Sequence, residues 1–439
     1  MLCRMIMIFA SIQIEKLLLP LLWQLVLIIL AARIVGVLFR KIGQPEVVGE
    51  ITAGLLLGPS LFGWVAPDTF QMIFRPTLEG FPEGTLHWVF VGISQIGLIL
   101  LLFLVGMEFE FSHLLSLGGS TAFISLAGIL LPFGLGLGLS FLVFDKVNTK
   151  PFTPENFWSF ALFLGTAMSI TALPILGRMM VEWGVSHTRL AVVTITAAAF
   201  DDAAGWILLA GVAAFVTSDF HVSSTILMIF NTLLFGAFMI FVVRPIAIRL
   251  LNHFITDGEI SVTGLAVTLS LLFLSAIGTS LIGIFGIFGA FVFGSVLCDQ
   301  VVFRKAVQGK LKDFVTAFFL PIFFAYTGLR TNIGSLDTLQ LWMIAVGVIG
   351  ASIFGKVAGC GLASYFSGFS LKESSCIGIL MNTRALMELI VINLGKDYGI
   401  IPDSVFCMLV MMALVTTFMT TPILKTLVVG TEFEPILKH

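Results

Sequence analysis

Solid runs of apolar residues, about 17 to 28 long and parted by short polar stretches, recur from one end of the chain to the other. At about 1.5 Å of rise per residue, each can cross a hydrocarbon layer about 30 Å thick as an α-helix. The runs are continuous rather than alternating, which sets them apart from barrel strands, and a spanning helix satisfies its own backbone hydrogen bonds. The pattern predicts thirteen segments, at roughly 17–39, 46–64, 87–107, 118–144, 157–181, 189–216, 224–251, 261–278, 281–297, 312–330, 340–366, 374–396 and 403–427. The least defined boundary is at 278–281, where "IGTSLIG" leaves almost no loop and a merged or re-entrant element would change the count.

Composition turns this pattern into a class. Of 439 residues, 58% are hydrophobic and only 11% charged, with a mean hydropathy of +1.09, against a charged share of about 25% in soluble domains. The chain reads as an all-α integral membrane protein. A net charge of −2 offers no basic patch for nucleic acid. The five cysteines lie in or beside apolar runs without CxxC spacing, so no disulfide or zinc framework is expected. The opening "MLCRMIMIFASI" shows no convincing cleavage site, and the first helix is expected to act as its own insertion signal. Loops after odd-numbered segments hold thirteen Lys and Arg against seven on the other side, which predicts a cytoplasmic C-terminus, an external N-terminus and residence in the cell (inner) membrane. Short loops leave no space for a soluble enzyme or nucleotide-binding domain, and neither catalysis nor a cofactor is expected.

Thirteen segments divide as six, one and six, and an offset of seven inverts the second half relative to the first. This is the inverted-repeat layout of secondary transporters, with a first repeat at about 17–216, a linker helix at about 224–251 and a second repeat at about 261–427.

Against this apolar background, charges at mid-membrane stand out. Segment 6 contains "TITAAAFDDAAGWILLA", with Asp201 and Asp202 at its centre, and segment 11 contains Lys356 within "ASIFGKVAGCGLAS". Each costs about 2.5 to 3.5 kcal/mol at a helix centre on an insertion scale. Adjacent helical residues point about 100° apart, so the two acids divide their work: one meets a cation across the bundle, the other faces a water-filled cavity. A purely structural salt bridge would need one acid only. The alternative is a titratable site where a proton and a metal cation compete for one carboxylate.

Segment 5 carries Ser169, Thr171 and Pro174 in "GTAMSITALPILGR". The proline deprives upstream carbonyls of partners, so carbonyls and hydroxyls there suit an alkali cation; a plain proline kink is the bland reading. Segment 12, "MNTRALMELIVINLG", spaces Arg384 and Glu388 four apart, either as an intrahelical ion pair or in a gating or pathway role. Glu50 enters segment 2, where Gly54 and Gly58 make a small-residue packing face, and Gly355 and Gly359 do the same beside Lys356. His113, His187 and His253 are read as solvated loop residues rather than pH sensors.

Seven stretches in this order, "GQPEVVGEITAGLLLGPSLFG", "LLLFLVGMEFEFSHL", "SITALPILGRMM", "AAAFDDAAGWILLA", "FGIFGAFVFGSVL", "FFLPIFFAYTGLRTNIGSL" and "MNTRALMELIVINLG", resemble the monovalent cation:proton antiporter-2 family over nearly the whole chain. The resemblance implies a homodimer in the membrane and a mobile core built on two crossing broken helices, segments 5 and 12. It implies that Asp202 is the ion- and proton-binding acid holding the alkali cation, that Asp201 meets Lys356, and that Ser169 and Thr171 are ligands near the break. An Asp rather than Asn at 201 implies electrogenic exchange. Ala385, where relatives often have Gly, weakens the expectation of a true break in segment 12. The chain stops before the nucleotide-binding module of Kef-type members, which disfavours gated potassium efflux.

The function expected is therefore antiport of sodium or lithium against protons by alternating access, with potassium/proton exchange of the Kef or plant type as the alternative and a cation channel as a remote one. A channel would call for a repeated pore-loop signature. An intramembrane aspartyl protease would need its two acids on separate helices.

Overall fold

Each apolar run folds as helix, and two of the departures from one run, one helix, the breaks in segments 5 and 12, lie beside the buried charges. The protein is described by a computed structural model covering residues 2–76, 78, 81–82, 84–108, 119–147, 151–185, 188–217, 222–434 and 436. First come α1 (Leu2–Lys41), α2 (Glu46–Leu57), the single turn α3 (Phe62–Val65), α4 (Pro67–Phe74) and α5 (Thr85–Glu108). The stretch about 65–86, between predicted segments 2 and 3, contains α4, which starts on Pro67 and buries Phe70 and Phe74. Next are α6 (Gly119–Val147), α7 (Pro154–Ser169), α8 (Leu173–Glu182) and α9 (Arg189–Thr217). Helix α10 (Val222–Phe238) passes through a π-helical turn, Met239–Val243, into α11 (Arg244–Asn252).

Strands β1 (Ile255–Thr256) and β2 (Glu259–Ile260) form a small antiparallel hairpin whose Asp257-Gly258 turn has both φ angles positive, 52° and 79°. The chain continues as α12 (Val262–Ile282), α13 (Gly286–Val296), α14 (Val301–Phe314), a second π-helical turn at Val315–Phe319, and α15 (Leu320–Leu329). It ends with α16 (Leu339–Phe366), α17 (Leu371–Met381), α18 (Leu386–Asp397) and α19 (Asp403–Leu427).

Among the described residues, ten helical stretches are long and apolar enough to cross a membrane, and α17 with α18, bent by 41°, makes an eleventh when taken as one span. Thirteen is not reached on that measure, because segment 5 is split into helices of 16 and 10 residues and segment 9 is an 11-residue helix, α13. The doubtful boundary at 278–281 lies inside α12, which runs to Ile282 before the chain re-enters helix at Gly286.

Two groups of helices emerge from the packing. In the first, α1 and α2 pack on each other and on α15, and α5 packs on α13, which packs on α12. In the second, α6 lies between α7 and α16, α9 crosses α6, α7 and α8, and α19 packs on α16, α17 and α18. Small residues set the closest approaches. A Cβ on Gly54 would sit 1.9 Å from the Ala325 carbonyl oxygen, so α2 and α15 touch backbone to backbone, as the small-residue face of segment 2 predicts.

Candidate functional site

The second group of helices holds the buried charges. Gly359 lets α16 approach α6: a Cβ there would lie 2.6 Å from the Ala127 carbonyl oxygen. That approach delivers Lys356, wholly buried, to the centre of the bundle. Its Nζ lies 2.5 Å from Asp201 Oδ2 and donates to the carbonyls of Gly128, at 2.9 Å, and Ser169. Ser125 of α6 donates to the other oxygen, Asp201 Oδ1, at 3.3 Å. An ammonium has three protons to place, and all three have acceptors here. Such satisfaction is what a fully buried pair requires, since taking each ion out of water costs several kcal/mol.

Asp202 sits differently. Next along α9 and only 3% exposed, its carboxylate accepts the backbone N–H of Leu173, the first residue of α8. Its Oδ1 has no hydrogen-bond partner among the described residues. A helix N-terminus favours negative charge, so α8 partly compensates this acid while leaving an oxygen open. One acid is committed and its neighbour is not.

Between α7 and α8 the chain is non-helical at Ile170–Ala172. Pro174 takes the second position of α8, where its missing N–H costs nothing. The last carbonyls of α7 are left without intrahelical partners, as every helix end leaves them. They are taken by cations from elsewhere. Arg384 donates through Nη1 to Ala167 O at 2.9 Å and to Ile170 O at 3.4 Å, and through Nη2 to Met168 O at 2.5 Å. Lys356 takes Ser169 O. The freed carbonyls of segment 5 therefore face a guanidinium and an ammonium, both favourable at a helix C-terminus.

Segment 12 is broken as well, at Asn382–Ala385, contrary to the doubt raised by Ala385. That residue has φ 178°, extended backbone open to any residue, so no glycine is needed. The two breaks cross and bond to one another: Thr171 Oγ1 donates to Met381 O at 2.8 Å, and Ala172 N donates to Thr383 O at 2.9 Å. Thr417 of α19 closes the second break, accepting from Arg384 N at 2.9 Å and donating to Arg384 O.

Of the two readings of Arg384 and Glu388, the intrahelical i, i+4 ion pair does not hold. Helix α18 starts at Leu386, so Arg384 lies in the break and points across to α7. Neither oxygen of Glu388, which is 1% exposed, has a hydrogen-bond partner among the described residues.

The structure thus brings together Asp201, Lys356 and the backbone of Ser169, places Asp202 beside them, and ties Thr171 to the opposite break. The Ser169 hydroxyl donates to Thr166 O at 2.9 Å; it and the Thr171 hydroxyl keep oxygen lone pairs for a ligand. Ser125, the Gly128 carbonyl and Thr417 are not singled out by the sequence. The expected inverted repeat offers a signal for Thr417, because it would set segment 13 against segment 6, and Thr416-Thr417 stands midway along α19 as Asp201-Asp202 does along α9. His113 and His187 lie outside the described residues, and His253 is exposed.

Residues 26–430 match the family described as "Sodium/hydrogen exchanger, transmembrane". The Na(+)/H(+) antiporter NhaS4 of Synechocystis sp. is 37% identical over 406 residues, which cover 92% of this chain and 96% of that protein. Cation/H(+) antiporter 17 of Arabidopsis thaliana is also 37% identical, over 405 residues, but these cover 91% of this chain and 47% of the plant protein. Among solved structures, the sodium proton antiporter MjNhaP1 from Methanocaldococcus jannaschii superposes with a TM-score of 0.60 over 96% of this chain and 99% of that one, at 17% identity, which establishes a shared fold. With a family match across nearly its whole length and a relative matched end to end, the chain belongs to the transmembrane sodium/hydrogen exchanger family.

Proposed function

We propose that this protein exchanges sodium or lithium for protons by alternating access, with Asp202 carrying either the cation or a proton, never both. Membership of the family makes the chain a secondary cation/proton antiporter; the cation, the coupling and the residues are the proposal. One observation carries it: of two adjacent buried acids, Asp201 is locked to Lys356 and Ser125, whereas Asp202 keeps an oxygen without a partner. Only an uncommitted carboxylate can trade one cation for another. Hydroxyls of Ser169 and Thr171 complete the cation's shell, hard oxygen donors suited to an alkali ion. Lys356 holds Asp201 until loading of Asp202 disturbs the pair; Asp202 exchanges its cation for one proton, and the Asp201–Lys356 pair takes up or releases a further one, which makes exchange electrogenic. Arg384 fixes the crossing of the breaks, and Glu388 lies on the pathway.

The working unit is a homodimer in the cell (inner) membrane with a cytoplasmic C-terminus. A single transmembrane domain of two inverted repeats is supported by the matched contacts at the two breaks, Asp202 on the Leu173 N–H and Thr417 on the Arg384 N–H. Potassium is the second reading. The plant relative, named only for cations, is as similar as the cyanobacterial one.

Proton flux in everted vesicles, driven in turn by sodium, lithium and potassium with and without a membrane potential, tests all of this. The Asp202→Asn variant should lose exchange with every cation, and the wild type's apparent KM for its cation should rise as pH falls. Wild-type exchange rates in Asp202→Asn would sink the assignment.

A further inference from the structure

The two helix groups meet along a seam, and polar bridges across it gather at one end. From the first group, α15 ends at Leu329 and presents Thr327 and Arg330; from the second, α18 ends at Asp397 and presents Asn393 and Asp397. Arg330 Nη2 lies 2.5 Å from Asp397 Oδ1, and its Nη1 donates to Asn393 Oδ1 at 3.1 Å. The Asn393 amide in turn donates to Thr327 Oγ1 at 2.8 Å. Lys396 donates to the Arg330 carbonyl at 3.3 Å and pairs with Asp403 at 3.0 Å. The Arg330 guanidinium also lies over the rings of Tyr326 and Phe406, 5.9 and 5.8 Å from their centroids.

This is not an ordinary surface pair. The side chains of Arg330 and Asp397 are 11% and 19% exposed, against 40% and 46% for Arg244 and Asp299, and shielded charges are screened less and interact more strongly than solvated ones. Beside the pair, a crevice lined by Ser94, Gln95, Thr327 and Asn393 holds only about 10 Å³, the threshold for one water molecule. A hydrated cation does not pass it. Yet α18 belongs to the same group as the site, through its packing on α7 and α19, so motion of one group past the other must part these side chains.

We propose that the Arg330–Asp397 pair, with the Asn393–Thr327 bond, is the gate on the extracytoplasmic side, shut in this conformation and obliged to break once per transport cycle. The proposal rests on the antiport reading and on the orientation that places the ends of α15 and α18 outside. When the gate parts, Asp397 becomes a free carboxylate at the mouth of the outer pathway, where it draws in the incoming cation or proton, while Arg330 turns to solvent.

The full chain in proteoliposomes provides the test. In the Arg330→Cys/Asp397→Cys variant, a short, reducible bifunctional thiol reagent should lower cation-driven proton exchange at least about tenfold, with recovery on reduction, as expected when opening is obligatory. Wild type treated identically controls for the native cysteines. Undiminished exchange by cross-linked protein overturns the proposal. A second measurement covers a double variant that does not fold: in Thr327→Cys, labelling by a membrane-impermeant maleimide added outside should speed up about tenfold when Asp397→Asn is also present. Equal labelling rates also overturn the gate. Failure of the wild type to exchange any cation would sink the antiport reading instead, and the labelling comparison would still judge the gate.

Discussion

The two helix breaks cross at one point and are held by opposite chemistry. At α7/α8 the loose ends rest on charges: Arg384 and Lys356 on the carbonyl end, Asp202 on the N–H end. At α17/α18 they rest on neutral groups: the Thr171 hydroxyl takes Met381 O, the Thr383 hydroxyl takes Leu380 O, and Thr417 takes the Arg384 N–H. A hydroxyl does not change charge when a proton or a metal ion arrives, whereas a carboxylate does. The backbone ends of the first break can therefore respond to its ligands, whereas those of the second are held by groups of constant charge; Glu388, in the first turn of α18, hydrogen-bonds to none of them. The half-helix dipoles are similar at both; the residues placed against them decide which one can answer a change of charge.

The sharpest way to break this contrast is to remove the cation that the charged side depends on. Lys356→Ala leaves Asp201 buried without its counter-charge, and breaking a buried pair from one side costs about 3–5 kcal/mol. Thermal unfolding in detergent should show a loss of this size, together with loss of exchange. Adding Asp201→Asn should restore much of the stability, because the stranded charge is gone. If the double variant is no more stable than Lys356→Ala, the loss comes from packing and not from charge.

A smaller effect is expected at the group that touches both breaks. Arg384→Gln removes the guanidinium from Ala167 O, Met168 O and Ile170 O while keeping Arg384's own backbone position in the second break. Hydrogen bonds from charged donors contribute about 1.5–3 kcal/mol, and a loss in that range should appear as a lower unfolding temperature. Exchange should slow with the preferred cation unchanged. A switch of cation preference would instead place Arg384 in the ion's own shell and undo the division between sensing and holding.

How much of this was legible follows the same division. Asp201, Asp202 and Lys356 announce themselves because a charge inside an apolar run carries a large insertion cost, so the responsive half of the crossing can be read from sequence. The neutral half cannot be read that way. Thr417, Thr383 and Ser125 are small polar residues that hydropathy passes over, and the carbonyls of Gly128, Ala167 and Met168 have no sequence signature at all. The ion-pair alternative for Arg384 fails for a related reason: a helical period carried through 382–385 sets it over Glu388, and only the extended backbone at Ala385 turns it toward α7. The seam between Arg330 and Asp397 is equally hidden, since its partners lie 67 residues apart on different helix groups.

The smallest expected effect is the most specific to the comparison. Thr417→Val keeps the shape of the side chain and removes one hydroxyl, so the Arg384 N–H and C=O both lose their partner at the second break. An orphaned buried N–H of this kind costs about 1–2 kcal/mol, visible as a modest drop in unfolding temperature. The rate should fall with it, because the crossing is less firmly set. Coupling should not change: the ratio of protons to cations, and the rise of the cation's apparent KM as pH falls, belong to Asp202 and the charged break. If Thr417→Val alters that ratio while Asp202 is intact, the second break takes part in sensing, and the distinction between a responsive half and a fixed half fails.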